Sequence, residues 1–218
     1  MAGLEIGVYG KLPSHADFIS AGISADLSAE LYDWGQSVIY HSQGMMGAQG
    51  WLTAYLVSPV WRFLLPPTQS REQAYLGIMM PSVDAVGRYF PLFLVYKIAA
   101  HQTRLAWMFE DAHSLFELLE ESGIKALQER WSLPQLQVHM AQASEAFELH
   151  SGQVLPTPSK WVKHDLEQWL PKLVDQLDGT FWWTFMDLGD LKQPFCSFTA
   201  MPGSEDYRLL LTGNRSEY

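Results

Sequence analysis

The sequence predicts an α/β protein, a three-layer α/β/α sandwich around one mainly buried, mixed sheet. Two observations carry this expectation. The runs YLGIMM (Tyr75 to Met80) and LFLVYKIA (Leu92 to Ala99) are apolar almost throughout instead of alternately, the pattern of strands covered by helices on both faces. Stretches with helical spacing of apolar residues occur both before and after them, the clearest from Arg104 to Glu120. With 218 residues, 48% hydrophobic and 17% charged, the chain can bury one large core and is expected to form a single domain over residues 1–218.

Taken in order, LEIGVY (Leu4 to Tyr9) reads as a first strand, ended by Gly10 and Pro13. Ser24 can cap a helix from Ala25 to about Tyr40, with Leu27, Leu31, Trp34, Val38 and Ile39 on one face and a break at Gly44 and Gly47. A second helix is expected over Trp51 to Val57, stopping at Ser58-Pro59 because the residue before proline resists the α conformation. VWRFLL (Val60 to Leu65) precedes the two continuous runs as a third strand-like segment. The Arg104 to Glu120 helix places Leu105, Met108, Phe109, Ala112, Leu115, Phe116 and Leu119 together. Weaker helical patterns follow over Ile124 to Glu129 and Leu136 to Leu149, with Pro134 suited to a first turn. A linker over His150 to Lys160 leads to a helix from Trp161 to Leu177, kinked or divided by Pro171. TFWWTFMDL (Thr180 to Leu188) and PFCSFTA (Pro194 to Ala200) suggest a hairpin, and Ser204 to Gly213 a last helix.

Composition excludes several function classes. A net charge of -10, from 14 basic and 24 acidic residues, argues against a nucleic-acid partner, which needs clustered Lys and Arg. The one cysteine, Cys196, permits no intrachain disulfide and no cysteine zinc site, which fits a reducing compartment. The N-terminus lacks a basic segment followed by an apolar one, so no signal peptide is expected. Between Trp34 and Trp61 there is no charged residue, yet polar residues and glycines interrupt the stretch as a bilayer core would not allow, so no membrane insertion is expected. Together these features predict a cytoplasmic protein.

No complete catalytic or metal-binding motif is present. Gly10-Lys11 resembles the end of a phosphate-binding loop, but Glu5 stands where that loop needs Gly, and Leu12 where it needs Ser or Thr. The seven histidines are scattered, with no pair at metal-ligand spacing, and neither Ser14 nor Ser82 sits in a nucleophile elbow. No cofactor, metal or catalytic residue is expected. What remains is a set of polar residues beside strand ends: Lys11, Ser14 and Asp17 after the first strand, Arg62 in VWRFLL, and Ser82, Asp84 and Arg88 in MPSVDAVGRYFPL. An Arg four residues after an Asp is unusual for a plain turn. Their apolar neighbours predict that Asp84 and Arg88 are paired and both largely buried, because a lone buried ion costs several kcal/mol. Two uses of these charges stay open, a network that organises loops or a surface that contacts a partner.

YGKLPSHADF (Tyr9 to Phe18), SPVWRF (Ser58 to Phe63) and MPSVDAVGRYFPL (Met80 to Leu92) together resemble the TagF family of type VI secretion-associated proteins, in order and spacing. Trp182-Trp183 is similar to a later double tryptophan of that family. The specific motifs cover about the first half of the chain; Ala16 departs from the family, which usually has Gly before the Asp-Phe pair. The resemblance implies a three-layer α/β/α fold and a post-translational repressor of type VI secretion assembly, acting on the forkhead-associated scaffold protein. Some relatives carry a PP2C-type phosphatase, for which these residues leave no room, so the implied role is repression without dephosphorylation. The alternatives are a hydrolase using Asp84 on an anionic substrate held by Arg88, and a structural subunit of the secretion baseplate.

Overall fold

The computed structural model describes residues 6–69, 71–98, 113–150, 179–189 and 195–213, without the side chains of 143–150. The elements within them are strands β1 (Ile6–Gly10), β2 (Ile19–Ala21), β3 (Trp61–Leu65), β4 (Ala74–Met80), β5 (Leu92–Ile98), β6 (Thr180–Trp183) and β7 (Phe195–Phe198), and helices α1 (Ala25–Met46), α2 (Ala48–Val57), α3 (His113–Gln128), α4 (Leu133–His150) and α5 (Ser204–Thr212). The seven strands form one sheet in the order β2-β1-β5-β4-β3-β6-β7.

Every strand pair is antiparallel, which corrects the expected mixed sheet. Continuous apolar runs report burial on both faces and are silent about strand direction. The connections decide direction: residues 66–73 and 81–91 are too short for the helical crossover that parallel neighbours need, so β3, β4 and β5 turn back on one another. The register Leu64↔Leu76↔Tyr96 and Phe63↔Gly77↔Val95 then sorts side chains by period two. Leu64, Leu76, Ile78, Leu94 and Tyr96 join Leu115, Phe116 and Leu119 of α3 and Leu136 and Met140 of α4 in one core cluster. Phe63, Leu65, Tyr75, Met79, Phe93 and Val95 join a second cluster with α1, α2 and α5. Residues of both faces are thereby removed from water, at roughly 1.5–3 kcal/mol per large apolar side chain.

Local chemistry explains the helix limits. Ser24 Oγ accepts the Leu27 N–H, and α1 then runs past Gly44 to Gly47, whose φ of 70° ends it; of the two expected breaks only the second occurs. Leu27, Leu31, Trp34 and Val38 are buried as the spacing predicts. α2 begins three residues earlier than expected and stops at Ser58. α3 is continuous across the two expected segments, and Gly123 allows it to approach Met80: a Cβ there would lie 2.8 Å from the Met80 sulfur. The expected hairpin and last helix are both present, the helix starting beside Asp206, which accepts the Gly203 N–H at 3.0 Å. Trp34 and Trp61 donate their ring N–H groups to the carbonyls of Pro202 and Leu210, tying the C-terminal helix region to α1 and β3. The short strand β2 was not expected from the sequence. The expected linker from 151 and the Trp161 to Leu177 helix lie outside the described residues, as do positions 104–112 of the expected third helix.

Candidate functional site

β1 and β5 are sheet neighbours, paired Tyr9↔Phe93, and β4 is paired with β5 up to Met80↔Leu92. The end of β1, the end of β4 and the start of β5 therefore lie at one end of the sheet, and the loops 11–17 and 81–91 meet there. Gly10 makes this meeting possible, with φ of 125° and a position where a Cβ would lie 2.1 Å from the Pro91 carbonyl oxygen.

The 81–91 loop is folded by its own aspartate. Asp84 N–H donates to the Arg88 carbonyl at 3.0 Å, Gly87 N–H to the Asp84 carbonyl at 3.1 Å, and a Val83↔Tyr89 bridge closes the base. The Asp84 side chain is fully buried. Its Oδ1 accepts the N–H groups of Val86 (3.0 Å) and Arg88 (2.8 Å), while Oδ2 accepts Arg88 Nε (2.7 Å) and the Lys11 ammonium. Burial alone would raise its pKa, but the hydrogen bonds from Lys11, from the Arg88 amide and guanidinium, and from Val86 outweigh it and hold the carboxyl well below the usual carboxylate range.

Lys11, also buried, sets its ammonium 4.5 Å from the centre of the Phe18 ring as well as on Asp84. Its carbonyl accepts the Ser82 hydroxyl at 2.7 Å, and the His15 carbonyl accepts the Ala85 N–H at 2.8 Å, so the two loops are stitched through backbone and side chains together. Arg88 completes the stitch by donating to the Ala16 carbonyl. Its side chain is 58% exposed, which corrects the expectation that Asp84 and Arg88 are both buried. Lys11 supplies the buried counterion, leaving Arg88 to close the loop from the solvent side.

Ser82 is buried and held at both backbone groups by the Tyr55 hydroxyl of α2, which accepts its N–H and donates to its carbonyl, each at 2.9 Å. Burial pushes the Tyr55 phenol well above its ordinary pKa. Ser14 is exposed and donates to the Trp131 carbonyl at 2.5 Å; Arg130 donates to the Pro13 carbonyl at 2.7 Å. Asp17 is exposed and, among the described residues, accepts the neighbouring Phe18 N–H alone, at 2.8 Å. Arg62 belongs elsewhere. It makes a two-pronged ion pair with Glu120 of α3 (2.6 and 2.9 Å), contacts His113 Nδ1, and lies over Phe116 and Phe185. Lys11, Ser82, Asp84 and Arg88 thus come together, Ser14 and Asp17 sit on the outer face of the same loop, and Arg62 does not join them. Sequence reasoning missed Tyr55, Arg130 and the carbonyls of residues 13–16. Only the apolar-face position of Tyr55 gave any signal.

The arrangement can orient and present, but Asp84 has both oxygens occupied and no solvent access, so it cannot take a proton from a substrate as it stands. A cleft of about 510 Å³ lies by Glu30, Arg71 and Thr180, and none of the residues around Asp84 lines it. Among the described residues no three His, Cys, Asp or Glu side chains are grouped to hold a metal ion, and no helix is long and apolar enough to cross a membrane.

Residues 7–143 match the family described as TagF N-terminal domain, type VI secretion system-associated. The crystal structure of PA0076 from Pseudomonas aeruginosa PAO1 superposes with a TM-score of 0.65 at 26% identity, covering 98% of this chain and 96% of that one. No curated protein matches.

Proposed function

Since this chain belongs to the TagF family of type VI secretion-associated proteins, we propose that it is a non-enzymatic, post-translational repressor of type VI secretion assembly that binds the forkhead-associated scaffold protein. The observation that carries the reading is the division of labour around Asp84. Lys11, Ser82 and Asp84 are buried and fix two loops to each other, while Ser14, Ala16, Asp17 and residues 85–88 on those loops are exposed. A rigid base under an exposed, mixed polar and apolar rim suits recognition of a protein surface. A hydrolase reading would need an accessible Asp84 oxygen, and both are occupied. The proposed place of action is the cytoplasm, in keeping with a single cysteine.

Overproduction in a cell with active type VI secretion tests the reading. Wild type should reduce secretion while leaving the abundance of the secretion components unchanged, and the purified chain should bind the purified scaffold. Asp17→Asn, which keeps size and removes an exposed charge, should repress less: a lost charged contact of about 1.5–3 kcal/mol weakens binding by roughly ten- to more than a hundredfold. Untouched secretion under wild-type overproduction would end the repressor proposal. Equal repression by a folded Asp17→Asn would remove only Asp17 from the contact surface.

A further inference from the structure

Helix α3 ends in an unusual way. Trp131 N–H reaches back to the Ala126 carbonyl at 3.0 Å, and Arg130, just beyond the helix, takes a φ of 54°. Glycine is the usual occupant of such a position, since a Cβ there is strained. A side chain kept in spite of that strain points to a use for it. The Arg130 guanidinium reaches across to the Pro13 carbonyl (2.7 Å), and Arg88 reaches from the other side to the Ala16 carbonyl. Two exposed arginines from segments far apart in sequence are therefore moored on one four-residue stretch of loop 11–17.

Each keeps donors to spare. Beyond Pro13, Arg130 has no partner among the described residues; Arg88 uses Nε on Asp84 and one terminal nitrogen on Ala16. Among the described residues no carboxylate forms an ion pair with Arg130: Glu129 accepts the Trp131 ring N–H, Asp17 accepts the Phe18 N–H, and Asp84 is buried among its own four donors. Val86, 64% exposed at the tip of the 81–91 loop, adds an apolar contact beside Arg88. Two exposed guanidiniums with N–H donors still open thus stand together on one loop of a chain of net charge -10.

We infer that Arg88 and Arg130 form a two-point receptor for the carboxylates of an acidic segment on the partner protein. The inference rests on the binding reading above and names the chemistry of the contact. Pro13 and Ala16 are three residues apart, at most about 11 Å between Cα atoms, which suits two acidic side chains at alternate positions of an extended strand, about 7 Å apart. Arginine matches a carboxylate through paired N–H donors, and two isolated arginines on an acidic protein suit a short acidic segment better than a polyanion. Asp84 acts as a positioning residue by fixing Arg88.

Arg130→Gly gives a clean test, because glycine relieves the strained φ. The melting temperature should be no lower than that of wild type. Isotope-labelled full-length protein is titrated with a Gly-Ser peptide carrying two glutamates at alternate positions, with its glutamine counterpart, and with a counterpart carrying phosphothreonines in place of the glutamates. The glutamate peptide should shift the side-chain Nε–Hε signals of Arg88 and Arg130, the glutamine peptide should not, and Arg130→Gly should bind roughly three- to tenfold more weakly with a flatter salt dependence. Absence of shifts up to roughly 10 mM peptide overturns the inference. So does equal binding by Arg130→Gly, and a phosphopeptide preferred by more than about tenfold overturns the carboxylate assignment. The purified scaffold protein is titrated in parallel. If it fails to bind while the glutamate peptide binds, the repressor reading fails and this one stands; if it binds wild type and Arg130→Gly alike while the peptide is inert, the reverse holds.

Discussion

The Lys11 ammonium and the Asp84 carboxylate, 73 residues apart in sequence, form a buried ion pair in which neither side chain is more than 4% exposed. Taking both ions out of water is expensive, and their attraction repays it only because Asp84 also gathers two backbone amides and Arg88 while Lys11 rests on Phe18. Removing one partner should therefore cost more than replacing both. Lys11→Met is expected to lose about 3–5 kcal/mol of stability, and the double variant Lys11→Met, Asp84→Leu less than the sum of the two single losses. Urea unfolding of the four proteins of the cycle measures this; additive losses would show that the pair is not coupled.

Acid should dissolve the same contact. The folded-state pKa of Asp84 is depressed below the usual aspartate value of 3.8, so its contribution is complete above that value and is lost as pH falls from there toward the lower folded-state pKa. The stability difference between wild type and Asp84→Asn should be constant between about pH 7 and pH 5 and should shrink below about pH 4. Urea midpoints of both proteins across that range check it, and a difference that grows in acid would reverse the sign.

Gly10→Ala is expected to destabilise the protein by at least about 1–3 kcal/mol from backbone strain alone, since its φ is 125° and the new Cβ would meet the Pro91 carbonyl. Calorimetric or circular-dichroism melts would register the loss. A melting temperature equal to that of wild type would mean that loops 11–17 and 81–91 can separate without cost.

Glu120→Ala should lower stability by about 1–3 kcal/mol, because the buried Arg62 guanidinium then keeps, among the described residues, His113 and two aromatic faces but no carboxylate. Scaffold binding by the folded variant should be unchanged. Weakened binding at equal fold would bring Arg62 back into the contact surface, where its charge first suggested it.

The sequence by itself determined the buried strands, the apolar faces of α1 and α3, the caps at Ser24 and Gly213, and the identity of the charged loops, because periodicity, capping and motif order are local properties of the chain. It could not determine strand direction, since an apolar run such as YLGIMM records burial on two faces and burial is the same in either direction. The buried, paired Asp84 was legible in its apolar surroundings, but the exposure of Arg88 was not, because it depends on Lys11 arriving from another loop to serve as the buried counterion. Nor could it single out Arg130, an ordinary residue in QERW (Gln128 to Trp131) until the chain turns just beyond α3 and carries its side chain toward Pro13. Those features are set by which distant segments meet, and that is decided by the packing of the whole sheet.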